Sequence, residues 1–342
     1  MSDSAPVLAA ERFCREILPE VSRTFALSIR VLPGDLGRAV LAAYLLCRIA
    51  DTAEDEPRLP AAEKAELLDL LLAGFEKEEA RAAFVARAAT LEGEPAHVRL
   101  ARHADQVFVL HDAVPGPSRQ RVEHWVREMV LGMRKFVLLY PRGIRIQTVE
   151  EYREYCYYVA GTVGYMLTDL WREHAPSIGT RTYEVLRERA REFGEALQTV
   201  NILKDVAQDA EHENSIYIPE HSLRAQGSSH ATILAAELRQ ANHVVIRQMV
   251  EVAWTKLGHA LEYLLLIPRR ALAIRLFCAL PLLFAYATLR ELTRSTAMLT
   301  PGGTVKITRR EVKALLVAGP ALIWSNRATR WLVRRVTAKA FA

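Results

Sequence analysis

The sequence has little that bends or cross-links a chain: 16 Gly, 15 Pro and four Cys in 342 residues. Alternating apolar and polar runs bounded by turn dipeptides are missing, as is any repeat of fixed period, so neither a sheet nor a solenoid finds support. Cys14, Cys47, Cys156 and Cys278 lie too far apart in sequence to form a metal-ligand spacing. Four free thiols in a reducing cytoplasm are expected, not a disulfide framework. Residues 1–10 carry neither a basic segment nor an apolar run of signal-peptide length. No stretch of ~20 uncharged apolar residues occurs. The best run, 261–289, is broken by Pro268, Arg269, Arg270, Arg275 and Pro281 and reads as a buried core helix. A glycine-rich dinucleotide fingerprint is also missing.

What remains is helix. The chain is 51% hydrophobic and 25% charged, its apolar residues favour Ala and Leu, and long stretches carry neither Gly nor Pro. Its length supports a large core in one domain or two. A net charge of +5 suits a diphosphate, an anionic membrane or a nucleic acid without choosing among them. Helices are expected over residues 6–18, ended by Pro19, and over 36–54 after a Pro33-Gly34-Asp35 turn. Amphipathic helices follow over 61–112, then helices over 118–139, 152–171, 185–209, 231–266 and 269–292.

Two segments share one carboxylate spacing. Asp51-Thr52-Ala53-Glu54-Asp55 and Asp205-Val206-Ala207-Gln208-Asp209 both read D-x-x-x-D in helical surroundings. Positions i and i+4 share a helix face, and two like charges there are destabilising unless a cation sits between them. The helix over 36–54 is apolar almost all round and runs straight into its acidic cluster. Gln198 and Asn201 extend the second motif into an oxygen-bearing stripe. Oxygen ligands shared between carboxylates and substrate phosphates are the chemistry of Mg²⁺. One such motif alone is a commonplace of solvated helix faces; the pair in an all-helical chain points to a metal–diphosphate site. Arg48 and Lys204 stand beside the motifs and can reach phosphate oxygens, although for Arg48 a salt bridge to Asp51 or Glu54 is the competing reading.

Two other segments stand out. Residues 152–165 put five tyrosines on one helix with Gly161 and Gly164. Glycine costs a helix ~1 kcal/mol relative to Ala, so something approaches closely: either a neighbouring backbone or an isoprenoid chain. Tyrosine faces can stabilise a carbocation, and a phenol can relay a proton. Residues 321–342 place Trp324, Trp331, Leu332 and Val336 among Arg327, Arg330, Arg334, Arg335 and Lys339. That is the composition of an interfacial membrane helix, or of a solvated helix docked by one face.

Taken in order, four segments resemble the squalene/phytoene synthases, all-helical head-to-head prenyltransferases. They are Ser22-Arg23-Thr24-Phe25-Ala26-Leu27, residues 44–55 (YLLCRIADTAED), 155–164 (YCYYVAGTVG) and 198–209 (QTVNILKDVAQD). The likeness runs from about residue 10 to 310. The S-R-T-F segment, Phe277-Cys278-Ala279-Leu280-Pro281 and Gly303-Thr304-Val305-Lys306-Ile307 are more similar to the squalene synthase branch than to the phytoene synthase branch. The resemblance implies an all-α, single-domain isoprenoid synthase bundle around a central cavity over residues 1–320, with a basic amphipathic helix over 321–342.

By the same resemblance, Asp51, Asp55, Asp205 and Asp209 bind Mg²⁺ and two farnesyl diphosphates. Ser22, Arg23, Phe25, Tyr44, Arg48, Gln198, Asn201 and Lys204 line the diphosphate and prenyl sites, with Phe277 in the region of the reductive step. Tyr155 serves the first half-reaction, and Val159, Ala160, Val163 and Gly164 line the hydrocarbon tunnel. The implied reaction forms presqualene diphosphate and then reduces it to squalene with NADPH, a cofactor that rests on the resemblance alone. A non-reductive relative (phytoene, dehydrosqualene or presqualene diphosphate synthase) or a terpene cyclase on the same scaffold is the alternative.

Two departures stand against the family pattern. Glu213-Asn214-Ser215 occupies the place of an arginine expected after the second motif, ahead of Ile216-Tyr217-Ile218-Pro219. No membrane anchor like that of eukaryotic members follows the domain, so the basic tail is the expected peripheral contact. The expected location is cytoplasmic, with that contact on the inner membrane face. A basic helical module binding nucleic acid or membrane is the reading from another class. It leaves both acidic motifs unexplained, and no nucleic-acid partner is expected.

Overall fold

Five of the helices begin on a side-chain cap. Ser22 Oγ accepts from the Phe25 N–H at 3.1 Å, and Thr148 Oγ1 accepts from the Glu151 N–H at 3.1 Å. Thr308 and Ser325 cap two later helices in the same way. The computed structural model describes residues 4–341, the Arg23 side chain excepted. In chain order the helices are α1 (Ala5–Val21), α2 (Arg23–Arg30), α3 (Gly34–Asp55), α4 (Ala61–Ala73), α5 (Glu78–Ala88), α6 (Pro95–Arg102), α7 (Ala104–Asp112) and α8 (Gly116–Leu139). There follow α9 (Val149–Cys156), α10 (Thr162–His174), α11 (Thr180–His212), α12 (Glu220–Arg224), α13 (Arg239–Leu266), α14 (Leu272–Leu292), α15 (Arg309–Leu322) and α16 (Asn326–Ala338). The fold is all-α. Among the described residues its β pairing is one isolated bridge between Arg145 and Ile216.

One hydrophobic cluster runs through the whole bundle, from Cys14 on α1 to Val336 on α16. The 33-residue α11 packs on α10 and α13, while α3 packs on α7 and α8. Because α8 also packs on α10, the two motif-bearing helices are joined through α8 and α10. The four cysteines are free and buried, and burial lifts the Cys14 and Cys156 thiols to about 12.

Several boundaries differ from expectation for identifiable reasons. Pro19 lies inside α1 and does not end it; Ser22 does, and Pro19 is close enough to the C-terminus that the missing N–H disturbs only the last turn. The helix expected over 152–171 is two helices joined by a π turn at Tyr157–Gly161, where the Thr162 N–H donates to the Tyr157 carbonyl five residues back. The long helix expected over 231–266 starts only at Arg239, after two short 3₁₀ turns.

α14 is long and apolar enough to cross a membrane, yet 72% of its apolar window is buried in the protein. Its Arg275 is fully buried and binds the carbonyls of Leu264, Ile267 and Ile323. The tail helix α16 docks on α14 through Leu332, Val333 and Val336, and leaves Trp331 in solvent. One face of that segment is thus docked on the bundle, and its other face is open.

Candidate active site

The C-terminal half of α3 carries the first motif. Phe25 rests against Tyr44 (5.4 Å between centroids), the Arg48 guanidinium donates to the Tyr44 hydroxyl at 3.4 Å, and Arg48 pairs with Asp51 at 3.4 Å. The salt-bridge reading of Arg48 thus holds for Asp51. Its Nε is buried without a partner, so the guanidinium keeps unspent donor capacity at the motif.

The second motif lies opposite. The Asp55 carboxyl helps to lift Asp209, which reaches about 8 through burial, then Asp205, then Asp55. Asp55 is itself pushed well above the usual carboxylate range, first by burial and then by Glu213 and Asp51. Asp51 is raised by burial against the pull of Arg48. The two motifs therefore share one electrostatic environment across the space between α3 and α11. Lys204 pairs with Asp205, whose other oxygen accepts from Thr304 Oγ1 at 3.0 Å.

Five contributors lie outside the sequence-based site. Glu54 is buried and raised by burial, Asp55 and Asp51; its Oε2 faces the Tyr155 hydroxyl at 3.3 Å, and its Oε1 has no partner. Glu213 sits at about 8 through burial, Asp209 and Glu54. Lys64, buried on α4, donates to the Glu54 carbonyl at 2.6 Å; burial lowers its pKa while Asp55 and Glu54 oppose that. Tyr217 stacks on Tyr155 with centroids 4.8 Å apart, and Phe136 meets Tyr155 edge-on at 5.1 Å. The parallel bridge at Ile216 fixes the Tyr217 segment, with the Ile216 N–H donating to the Ile144 carbonyl at 2.8 Å. Glu54 is visible within its motif. Lys64 and Tyr217 give no local signal.

The other expected residues are held as follows. Ser22 is occupied as the α2 cap. The Arg23 side chain falls outside the described residues. Gln198 is half-buried and Asn201 exposed on the α11 stripe. Phe277 is buried on α14 edge-on to Trp171, within the core. Val159 and Val163 are half-buried beside the π turn, and Ala160 is buried. The bare patch at Gly164 does not face open space. A Cβ there would collide with the Ala190 carbonyl oxygen, and one at Gly194 would collide with that of Ala160. Backbone contact of α11 with α10 accounts for Gly164 and with the π turn for Gly194, whereas a Cβ at Gly161 would meet the Tyr157 and Arg191 side chains at 3.1 and 3.2 Å.

For Mg²⁺ the donor set is of the right kind. Carboxylates from Asp51, Glu54, Asp55, Asp205, Asp209 and Glu213 outnumber Arg48, Lys64 and Lys204, and Glu54 Oε1 is buried unpaired. Among the described residues no three ligating groups converge into a complete protein shell. An ion held here would be completed by phosphate oxygens and water, as is usual for Mg²⁺.

The sequence model of squalene/phytoene synthase matches residues 18–311. The chain belongs to that family of prenyltransferases. Squalene synthase 1 of Arabidopsis thaliana is 26% identical over 306 residues, covering 87% of this chain and 70% of its own length. The Ganoderma lucidum squalene synthase is 28% identical over 330 residues (90% and 66%), and squalene synthase LSS of Botryococcus braunii is 30% identical over 282 (81% and 57%). The chain thus spans 57–70% of the length of these relatives. In fold it is similar to TcSQS, solved with a ligand, at TM-score 0.80 and 23% identity, covering 96% of this chain and 91% of that one. It is also similar to squalene synthase HpnC from Alicyclobacillus acidocaldarius, at TM-score 0.58 and 19% identity, covering 87% and 98%.

Proposed function

We propose that this prenyltransferase condenses two farnesyl diphosphates into presqualene diphosphate and reduces that product to squalene with NADPH. The observation that carries the first step is the shared field of Asp55 and Asp209, with Tyr155 buried beside Glu54. Asp51, Asp55, Asp205 and Asp209 would hold Mg²⁺, which when bound neutralises the departing diphosphate. Arg48 and Lys204 add fixed positive charge at the same mouth.

The condensation joins C1 of one farnesyl unit to the C2–C3 double bond of the other. It releases one pyrophosphate and one proton as the cyclopropane closes. Tyr155 is suited to receive that proton. Burial and then Glu54 raise the phenol pKa, so Tyr155 stays neutral and takes that proton only as it hands its own to the ionised Glu54 carboxylate at 3.3 Å. The stacked Tyr155–Tyr217 pair and Phe136 offer ring faces to the passing cation.

The reductive step is supported by the likeness to squalene synthases alone. The isoprenoid tails and a hydrocarbon product suit work at a lipid surface, and residues 321–342 are proposed as the peripheral contact. Purified chain incubated with farnesyl diphosphate and Mg²⁺, with and without NADPH, tests the proposal by product analysis. Squalene with NADPH is expected. Dehydrosqualene or presqualene diphosphate despite NADPH would move the chain to the non-reductive alternative.

A further inference from the structure

The membrane contact just proposed rests on one tail segment, but the fold places a second element beside it. Arg275 binds the carbonyls of Leu264 and Ile267 on one side, and the Ile323 carbonyl and the Asn326 side chain on the other. Asn326 in turn donates to the Leu265 carbonyl at 3.1 Å. A single guanidinium thus clamps the α13–α14 turn against the α15–α16 turn, and these turns form one end of the molecule.

That end is apolar where exposure is highest. Trp324 is 61% exposed, Trp331 56%, Leu272 48% and Leu266 37%. Arg330 forms a two-point pair with Glu262, at 2.8 and 3.1 Å, which ties α16 beside the last turns of α13. Leu266 follows Glu262 by four residues and shares its exposed face. Large aromatics in solvent at two adjacent points are unusual in a chain whose other tryptophans are buried or half-buried.

The charge around them has one sign. Arg269 and Arg270 are exposed in the α13–α14 turn, and Arg327 and Arg334 on the outer face of α16. Among the described residues none of these four has a carboxylate partner. Glu262, the one acidic residue between positions 252 and 290, is already paired with Arg330, and no acidic residue follows Glu311 in the sequence. Tryptophans bordered by unpaired arginines complement an interface whose headgroups are anionic and whose first carbons are apolar.

We infer that the α13–α14 turn and α16 together form a docking face for an anionic phospholipid surface, with Trp324, Trp331, Leu266 and Leu272 entering the headgroup layer and the arginines meeting the phosphates. This rests on the peripheral-membrane reading and makes it more specific: the tail alone is half of the face, and lipid charge matters. The buried face of α16 stays on α14, so docking needs no unfolding of the bundle.

Flotation of the full chain with phosphatidylcholine vesicles, with and without phosphatidylserine, tests the inference. Binding is expected to the anionic vesicles, to fall as salt is raised, and to weaken about fivefold for each arginine removed. Arg269→Ala with Arg270→Ala, in the turn and not in the tail, should weaken binding as much as Arg327→Ala with Arg334→Ala. Trp324→Ala with Trp331→Ala should abolish it while circular dichroism and detergent-supported product formation persist. Equal binding to neutral and anionic vesicles, or turn variants that bind like the parent, would overturn the inference. So would sedimentation showing that the tryptophans are covered by a second copy. Loss of detergent-supported activity with intact vesicle binding would count against the enzymatic reading and leave the docking face standing.

Discussion

Replacing Asp209 by Asn probes the confrontation of the two acidic motifs directly. In the folded chain Asp209 holds its proton up to about pH 8, whereas an unfolded aspartate loses it near 4. The folded state therefore binds the extra proton between those values, so this group makes stability fall as pH rises through that window. At pH 7 the gap is about 3 units, or ~4 kcal/mol at 1.36 kcal/mol per unit. Burial first, and then Asp209 and Glu54, raise Glu213 to about 8 as well, so removing one carboxylate should relieve about half of this, ~2 kcal/mol. For a chain of this length that corresponds to about 3 °C in Tm. Thermal melts in chelator at pH 5 and pH 7 should show Asp209→Asn gaining on the parent mainly at pH 7. Added Mg²⁺ should raise the parent's Tm and leave the variant nearly unmoved, with product formation lost. A parent Tm that ignores both pH and Mg²⁺, with a variant that melts identically, would refute the placement of Asp209 against Asp55.

Three other substitutions test separate parts of the molecule. Tyr155→Phe removes the phenol but keeps the ring stack, so presqualene diphosphate formation should drop by about 10²-fold or more with KM little changed, measured in single-turnover assays. Gly164→Ala forces a methyl against the Ala190 carbonyl; a loss of ~1–3 kcal/mol in denaturant melts is expected, against a gain if the site were open. Glu311→Gln breaks the buried two-point pair with Arg290 (2.9 and 2.8 Å) that also receives the Phe341 N–H. Arg290 keeps Glu291 at 2.7 Å, so the cost should be ~2–3 kcal/mol by urea unfolding, with the spectrum of products unaltered.

The helices and both acidic motifs are legible in the sequence because they are local: a spacing of four, an absence of breakers, a run of Ala and Leu. Lys64 is not, since it sits among other charges on an amphipathic helix and only the fold turns it toward Glu54. Glu213 reads as a missing arginine, and nothing in the sequence says that it joins the carboxylates as another acid. Gly164 signals a close approach on its own, but the choice between a helix backbone and an isoprenoid needs α11 in place. The tail shows the same limit: its Trp and Arg pattern is visible, whereas which face docks on α14 depends on contacts made by residues more than forty positions away.

The π turn at Tyr157–Gly161 works as a phase shifter. An ordinary helix fixes the angle between any two of its side chains at ~100° per residue, so Tyr155 and Gly164 could not be aimed independently. The wider turn adds an offset between them. Tyr155 can point at Glu54 while Gly164 lies flat on α11 and Thr168 bonds the Tyr263 hydroxyl at 2.8 Å. A one-residue deletion there would restore a regular helix and rotate one half against the other. The segment therefore tolerates exchange of side chains far better than a change of length, and the chain's catalytic register is stored in a count of residues.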